Sequence, residues 1–158
     1  MAKILLIYQS KSGNTKAMAE AVEAGVKSEG VEVTCKKIEE ASVDELPQAD
    51  GIIIGSPTYF AGTTAEVKRF VDDSIKYYRK LNGKVGAAFA SCGVLGGGGE
   101  TAILDILRAF LVQGMIVPGF TSGGHYGPVS AGRPDEALKE ACQEFGATVA
   151  RLVKKLSD

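Results

Sequence analysis

Strand signals and helix signals alternate along this chain, and the alternation limits the possible folds more than any other feature. Lys3–Tyr8 is an apolar run of the kind that forms a strand buried on both faces. Residues 14–29 then place Met18, Val22 and Val26 at the four-residue spacing of one helix face. The same switch between the two patterns recurs along the rest of the chain.

Four more strands and three more helices are predicted after this first pair. The strands are expected at residues 31–36, 51–55, 84–91 and 115–120. One helix is expected to begin at a capping box formed by Thr63 and Glu66, the next to span residues 100–113, and the last to begin at Pro134. Because crossovers between parallel strands are right-handed, this order favours an α/β fold with a five-stranded parallel sheet and helices on both faces. No linker or repeat interrupts the pattern, so we expect a single domain over residues 1–158.

Composition is that of an ordinary globular protein and excludes some classes of partner. The chain has 158 residues, of which 45% are hydrophobic and 23% charged, so one domain with a sizeable core can form. Its 18 basic and 19 acidic residues leave a formal net charge of -1. A general nucleic-acid binder carries a basic face, so we expect no nucleic-acid partner.

The cysteines and the apolar runs bear on the compartment. Cys35, Cys92 and Cys142 show no close pair and no metal-ligand spacing, a pattern typical of free thiols in a reducing compartment. No signal peptide precedes the first strand, and no apolar run approaches the ~18 residues of a transmembrane helix. We therefore expect a cytoplasmic protein without membrane insertion and without a bound metal.

The loop after the first strand is rich in hydroxyls and leads directly into a helix. It lacks the glycines and the Gly-Lys-Ser/Thr ending of a Walker A loop, and the three spaced glycines of a dinucleotide fingerprint. In such sheets ligands bind beyond the carboxyl ends of the strands, and a helix N-terminus there favours an anion. The side chains that can add hydrogen-bond donors are Ser10, Ser12, Asn14 and Thr15. The alternative is a simple helix start, capped by Asn14 or Ser12, that binds nothing.

Adjacent aromatic residues follow the third predicted strand. Residues 55–62 contain Pro57 and Gly62, which shape a rigid turn, and present Tyr59 and Phe60 at the same edge of the sheet. A flat ring could stack on these side chains or bind backbone groups of the loop through its heteroatoms. The alternative is that both aromatic side chains pack the loop onto the core.

Five glycines lie in the loop after the fourth predicted strand. Residues 91–99 run Ser-Cys-Gly-Val-Leu-Gly-Gly-Gly-Gly, and glycine lets backbone amides approach a ligand closely. A flexible linker is the alternative, and the position between a buried strand and a helix disfavours it. At the strand end Cys92 is expected to be a buried, unreactive thiol.

Taken together, these motifs resemble known flavoproteins. The Ser-x-Ser-Gly-Asn-Thr pattern at residues 10–15 is similar to the phosphate loop of flavodoxins. The Ser-Pro-Thr-Tyr-Phe sequence at residues 56–60 and the glycine-rich loop resemble NAD(P)H:quinone oxidoreductases of the Trp-repressor-binding-protein type, as do residues 114–118 and 124–127. The resemblance covers essentially the whole chain.

The resemblance implies a flavodoxin-like three-layer fold, one non-covalently bound FMN and redox chemistry. By position, it implies a phosphate site at Ser10, Ser12, Gly13, Asn14 and Thr15. One side of the flavin ring would be lined by Pro57, Thr58, Tyr59, Phe60, Ala61 and Gly62. The pyrimidine edge would be bound by backbone groups of Ser91, Cys92, Gly93 and later glycines such as Gly96. His125 would lie near the open face of the ring, although a lone histidine in a glycine-rich loop is by default a solvated side chain.

Two departures from the resemblance bear on function. Classical flavodoxins usually place the flavin between aromatic side chains, often Trp and Tyr, and are strongly acidic, whereas this chain has no Trp and a net charge of only -1. The quinone reductases usually carry insertions around the fourth and fifth strands, where this chain is compact. Three hypotheses follow: an electron carrier with a redox partner protein, a reductase that passes electrons from NAD(P)H to a quinone, and a flavin-free α/β binding or signalling domain. The third is disfavoured because the first strand is not followed by the acidic cluster of receiver domains. Either a monomer or a homo-oligomer is compatible with the sequence.

Overall fold

The computed structural model describes residues 1–157 as five strands, four α-helices and three 3-10 helices. The strands are β1 (Lys3–Tyr8), β2 (Glu32–Lys37), β3 (Gly51–Pro57), β4 (Val85–Cys92) and β5 (Val129–Ala131). The α-helices are α1 (Asn14–Ser28), α2 (Ala65–Asp73), α3 (Gly99–Val112) and α4 (Glu136–Ser157). The 3-10 helices are Ile38–Glu40, Val43–Gln48 and Ser74–Tyr77.

The strands form one parallel sheet in the order β2-β1-β3-β4-β5. In β1, Leu6 pairs with Cys35 of β2 on one side and with Ile53 of β3 on the other. Helices α1 and α4 cover one face of the sheet and α2 and α3 cover the other, each pair over its own apolar core. The predicted α/β fold is therefore confirmed, and the winding of the chain reverses between β1 and β3.

Strand β1 contributes to both apolar cores because its side chains alternate between the two faces of the sheet. Ile4 and Leu6 pack under α1 and α4, whereas Leu5 and Ile7 pack on the opposite face. All four are buried, and each such burial contributes about 1.5–3 kcal/mol of hydrophobic stabilisation. This explains why the strand is apolar at successive positions rather than at every second one.

Helices α1 and α4 approach so closely that glycine is required where they meet. A Cβ atom at Gly25 would overlap the carbonyl oxygen of Gln143, and one at Gly146 would overlap the carbonyl oxygen of Val22. The two backbones are therefore in direct contact, with no room for a side chain between them.

The fifth strand differs from the prediction. Residues 115–120 do not form a strand: Ile116 makes an isolated parallel bridge with Val85, and the chain then leaves the sheet. It returns as β5, which pairs with Ala90–Cys92 of β4. The physical reason is Pro118, which has no backbone N–H to continue the ladder of hydrogen bonds.

The start of α2 also differs from the prediction by one residue. Thr64, not Thr63, is the N-cap, and its hydroxyl accepts a hydrogen bond from the backbone N–H of Val67 at 3.3 Å. The predicted capping box of Thr63 and Glu66 is therefore wrong. Thr64 is fully buried and its N–H donates to Ser56 Oγ at 3.4 Å, so a contact with β3 decides which threonine caps the helix.

Candidate functional site

Three loops meet at the carboxyl edge of the sheet and enclose a cavity of about 320 Å³. They follow β1, β3 and β4, which are neighbours in the sheet and point in the same direction. The cavity is lined by Lys11, Ser12, Asn14, Pro57, Thr58, Tyr59, Ser91, Cys92 and Gly93. The structure thus brings together eight of the sequence-predicted site residues, and it adds Lys11 to them.

Ser10 holds the loop between β1 and α1 and caps the helix. The alternative raised by the sequence, a cap at Asn14 or Ser12, is therefore not what the structure has. Ser10 Oγ accepts hydrogen bonds from the backbone N–H groups of Gly13 at 3.2 Å and Lys16 at 3.3 Å. Gly13, at the helix N-terminus, has a φ of 95°, a left-handed conformation that glycine adopts without strain. Within residues 1–157, the side chains of Ser12 and Asn14 make no hydrogen bond, and both face the cavity. Their polar groups remain free for a ligand.

Thr15 joins the start of α1 to the end of β4. Its hydroxyl and that of Ser91 lie 2.8 Å apart in a buried hydrogen bond, and Thr15 itself is buried. Thr15 does not line the cavity. Its observed contact positions the start of α1 against the end of β4, because a buried hydroxyl pair of this kind has no water to replace either partner.

The electrostatics of the cavity favour an anion. The first turn of α1 has no acidic residue, so nothing offsets the partial positive charge at the helix N-terminus. Within residues 1–157, Lys11 is the one charged residue that lines the cavity. A phosphate group is the anion that such a helix start binds through backbone N–H groups and hydroxyls.

The loop after β3 closes on itself in a two-residue turn. The backbone N–H of Tyr59 donates to the Gly62 carbonyl at 2.9 Å, and the N–H of Gly62 donates to the Tyr59 carbonyl at 3.0 Å. Phe60 and Ala61 between them have φ values of 49° and 60°, a conformation that costs non-glycine residues free energy. The turn carries Phe60 fully into solvent, so Phe60, Ala61 and Gly62 lie outside the cavity lining while Tyr59 forms its wall.

Helix α3 holds this strained turn in place. Asp105 Oδ2 accepts a hydrogen bond from the backbone N–H of Thr63 at 3.3 Å, and Asp105 also pairs with Arg108. A Cβ atom at Gly98 would come within 2.6 Å of Ala61, so the third loop packs directly against the second. Neither contact carries a signal in the sequence, because each depends on the approach of distant segments.

Thr58 carries the observation that best tests a flavin at this site. Its Oγ1 is buried and has no hydrogen-bond partner within residues 1–157, although it belongs to a residue that lines the cavity. An unpaired buried hydroxyl costs about 1–3 kcal/mol. A ligand with polar ring atoms would satisfy it, and the residues present therefore fit the heteroaromatic ring of FMN.

The glycine-rich third loop leaves space beside the cavity at Gly93. A Cβ atom at Gly93 would meet nothing within 4 Å, and Gly96 turns the chain with a φ of 74°. Cys92 is buried, and its thiol donates to the Val94 carbonyl at 3.2 Å. Gly96 does not line the cavity.

Two of the cysteines lie away from this site. Burial raises the pKa of the Cys142 thiol to about 12, and burial together with Glu23 raises the pKa of Cys35 to about 12. Thiols with such values are protonated and unreactive at neutral pH. We therefore assign structural roles to Cys35 and Cys142.

His125 lies in the segment between Ile116 and β5, outside the cavity lining. Its Nδ1 is 2.9 Å from the Phe120 carbonyl oxygen, and its side chain is exposed. Its contact with a flavin stays a prediction. The same segment borders a larger cavity of about 520 Å³ against α4, where Glu140 and Glu144 face inward. Two carboxylates disfavour a phosphate ligand there, so the 320 Å³ cavity is the better candidate.

A cavity suited to an anion and a flat ring, placed where the winding of a parallel sheet reverses, is typical of α/β proteins that bind a flat, phosphate-bearing cofactor. The chain belongs to the flavodoxin domain family, which matches residues 5–111. Proteins of this family are FMN-binding flavoproteins with redox functions, so the predicted cofactor and the flavodoxin-like redox function are confirmed.

Individual relatives fall into the two groups that the motifs indicated. A flavodoxin from Aquifex aeolicus is 41% identical over 162 residues, covering 97% of this chain and 88% of the relative. An NAD(P)H dehydrogenase (quinone) from Archaeoglobus fulgidus is 33% identical over 190 residues, covering 99% of this chain and 100% of the relative. The crystal structure of a WrbA-like flavodoxin from Agrobacterium tumefaciens superposes with a TM-score of 0.84 at 26% identity, covering 98% of this chain and 99% of that one. None of the helices in residues 1–157 is long and apolar enough to cross a membrane.

Proposed function

We propose that this protein is an electron carrier that holds FMN non-covalently between the loops after β1, β3 and β4. The cavity where these three loops meet is the observation that carries the proposal. When bound, FMN supplies the electron chemistry, and the protein supplies binding, orientation and electrostatic environment. The domain would extend over residues 1–158.

The phosphate of FMN would be held at the start of α1. Ser12 and Asn14 offer a free hydroxyl and a free amide at the cavity, next to the backbone N–H groups of the helix N-terminus. Ser10 and Thr15 would act on the phosphate indirectly. Ser10 fixes the loop through two backbone N–H groups, and Thr15 ties it to Ser91.

The ring of FMN would lie against the second and third loops. Tyr59 would form the aromatic wall, and the unpaired Thr58 hydroxyl would bond a polar ring atom. Backbone groups of Cys92 and Gly93 would bind the other edge, because glycine leaves the space that a ring needs.

Two observations support a carrier rather than a quinone reductase. The alignment to the Aquifex flavodoxin runs over 162 positions, whereas that to the Archaeoglobus quinone dehydrogenase runs over 190. With 158 residues, this chain lacks segments that the dehydrogenase has. Moreover, no His, Asp or Glu from residues 1–157 lines the cavity, so no side-chain carboxylate or imidazole is placed there to move protons during substrate turnover.

A quinone reductase is the second candidate, supported by the 33% identity to the Archaeoglobus dehydrogenase over nearly all of both chains. Electrons would then pass from NAD(P)H to a quinone, and the cavity would have to admit both in turn. Steady-state assays with NADH or NADPH and a soluble quinone separate the two candidates. The carrier proposal predicts no turnover above that of free FMN, and sustained turnover would replace it with the reductase.

Binding of FMN through its phosphate is tested by titrating the apoprotein. We expect FMN to bind at least tenfold more tightly than riboflavin, which lacks the phosphate, corresponding to about 1.4 kcal/mol or more. Quenching of flavin fluorescence reports the binding. Equal affinity for the two flavins would remove the assignment of the helix N-terminus as the phosphate site.

Location and partners follow from the same properties of the chain. We infer a cytoplasmic protein, because Cys35, Cys92 and Cys142 are all free thiols. With a net charge of -1, the proposed partner is a redox protein and not a nucleic acid. Size-exclusion chromatography with light scattering would decide between the monomer and the homo-oligomer.

A further inference from the structure

Lys11 lies beside the aromatic wall of the candidate cavity. The sequence allows it to pair with a phosphate or to point to water. In the structure its ammonium lies over the ring of Tyr59, with Nζ 5.4 Å from the ring centroid. Both residues line the cavity, so the positive charge is held against the wall proposed for the flavin ring.

The charge of Lys11 is not neutralised by its surroundings. Within residues 1–157, Lys11 makes no salt bridge, whereas Lys16, on the first turn of α1, pairs with Glu20 at 3.7 Å. The first turn of α1 has no acidic residue, and the lining contributed by the second and third loops is uncharged. A group inside the cavity therefore meets one positive side chain and no negative one.

We propose that Lys11 is a redox-tuning residue that raises the reduction potential of the bound flavin. Uptake of two electrons and one proton leaves the flavin ring with one more negative charge. A nearby positive charge stabilises that state relative to the oxidised one, because opposite charges attract more strongly where water is partly excluded. This inference rests on the proposed FMN site and assigns a role to a residue that the resemblance does not include.

Substitution of Lys11 tests the proposal through the potential rather than through turnover. Lys11→Gln removes the charge and keeps a polar side chain, whereas Lys11→Arg keeps the charge and the ability to lie over Tyr59. Lys27→Gln is the matched control, because it changes the net charge equally at the far end of α1, where Lys27 pairs with Glu23. Midpoint potentials are measured by spectroelectrochemical titration of the FMN-loaded proteins.

We expect Lys11→Gln to weaken the preference for reduced over oxidised FMN about tenfold, which lowers the two-electron midpoint potential by about 30 mV. Lys11→Arg and Lys27→Gln should keep the potential of the unaltered protein. The difference should shrink as salt is raised, because the Lys11 side chain is solvent-exposed and salt screens exposed charges.

The outcomes separate this inference from the function on which it rests. If Lys11 instead pairs with the phosphate, Lys11→Gln will weaken the binding of oxidised and reduced FMN equally. The midpoint potential will then stay unchanged, and this result overturns the tuning role. A shift of the same size in Lys27→Gln would also overturn it, because the effect would then be one of net charge. Failure of the unaltered protein to bind FMN would overturn both proposals, whereas normal binding with an unchanged potential overturns only this one.

Discussion

Glycine serves opposite purposes in two regions of this molecule, the interior of the fold and the loops at the carboxyl edge of the sheet. In the interior, a Cβ atom at Gly25 or Gly146 would overlap the backbone of the facing helix, and one at Gly55 would overlap the ring of Phe89. At the loop edge, a Cβ atom at Gly13 or Gly93 would meet nothing within 4 Å. Glycine therefore permits close contact at these interior positions and leaves space at Gly13 and Gly93.

Substitutions of these two kinds of glycine should therefore have different effects. An interior glycine is needed by the folded protein itself, so its replacement should lower the free energy of unfolding. A glycine that faces an open cavity is needed by what enters the cavity, so its replacement should lower affinity for the ligand and spare the fold. Three glycine substitutions test this contrast and a substitution of Thr58 sharpens it, in order of decreasing effect.

The largest effect is expected for Gly25→Val. The new side chain would push α1 away from the Gln143 backbone of α4, and we expect the free energy of unfolding to fall by about 4 kcal/mol. Urea denaturation followed by circular dichroism measures it. Ala24→Val, on the exposed side of the same helix, should change stability by no more than about 1 kcal/mol, since it costs only helix propensity. Equal losses in both variants would mean that the close approach of the helices is not what Gly25 provides.

A smaller loss of stability is expected for Gly55→Ala, because its new Cβ atom would overlap the side chain of Phe89 and not a backbone. Phe89 is fully buried beneath Gly55, and overpacking of this kind costs about 1–3 kcal/mol. Phe89→Leu should lower stability on its own, yet the double variant Gly55→Ala, Phe89→Leu should lose less than the sum of the two single losses. Additive losses in thermal or urea unfolding would contradict direct packing of Phe89 on Gly55.

Gly93→Val should lower the affinity for FMN and leave the stability of the fold almost unchanged. Gly93 lines the candidate cavity and its φ lies outside the left-handed region, so valine fits the backbone and fills space meant for a ligand. We expect FMN affinity to fall at least tenfold, about 1.4 kcal/mol, while the unfolding free energy of the apoprotein changes by less than about 0.5 kcal/mol.

Gly119→Val provides the control for this prediction. Gly119 is also unhindered at Cβ and outside the left-handed region, but it lines the 520 Å³ cavity against α4. The variant Gly119→Val should therefore leave the affinity for FMN unchanged. The opposite result, with Gly119→Val weakening FMN and Gly93→Val not, would move the flavin site to that cavity.

The smallest effect is expected for Thr58→Val. This substitution should favour the apoprotein slightly and disfavour the FMN-bound protein. Valine keeps the shape of threonine and removes the unpaired hydroxyl, so the apoprotein should be as stable as before or slightly more stable. FMN affinity should fall about fivefold, or about 1 kcal/mol, because one hydrogen bond to the ring is lost. Fluorescence titration measures the affinity, and an unchanged affinity would show that the hydroxyl does not contact the ligand.

Much of this architecture could be predicted because the cues are local. β1 lies at the predicted Lys3–Tyr8, β3 runs two residues beyond the predicted end at residue 55, and β4 is shifted by one residue from the predicted 84–91. Buried parallel strands are apolar at successive positions, so they stand out from the helices. The meeting of the three loops follows from parallel connectivity, since the carboxyl ends of parallel strands share one edge.

The errors fall where distant contacts decide. The fifth strand was expected at residues 115–120, yet Pro118 interrupts it and the edge is completed by Val129–Ala131. By sequence Thr63 is the favoured cap, because Glu66 follows it at the spacing of a capping box, but burial against Ser56 selects Thr64. Lys11 could not be placed at all, because its neighbour Tyr59 lies on another loop.

The α/β class, the hydroxyl-rich helix start and the family are evident from sequence alone, because they depend on periodicity and on short motifs within single segments. Three features became visible only in the folded chain: Ser10 caps the helix while Ser12 and Asn14 stay free, Thr58 is left unpaired, and Lys11 faces the cavity. They could not be predicted because a side chain's hydrogen bonds and electrostatic surroundings come from groups brought close by folding, whatever their separation along the chain.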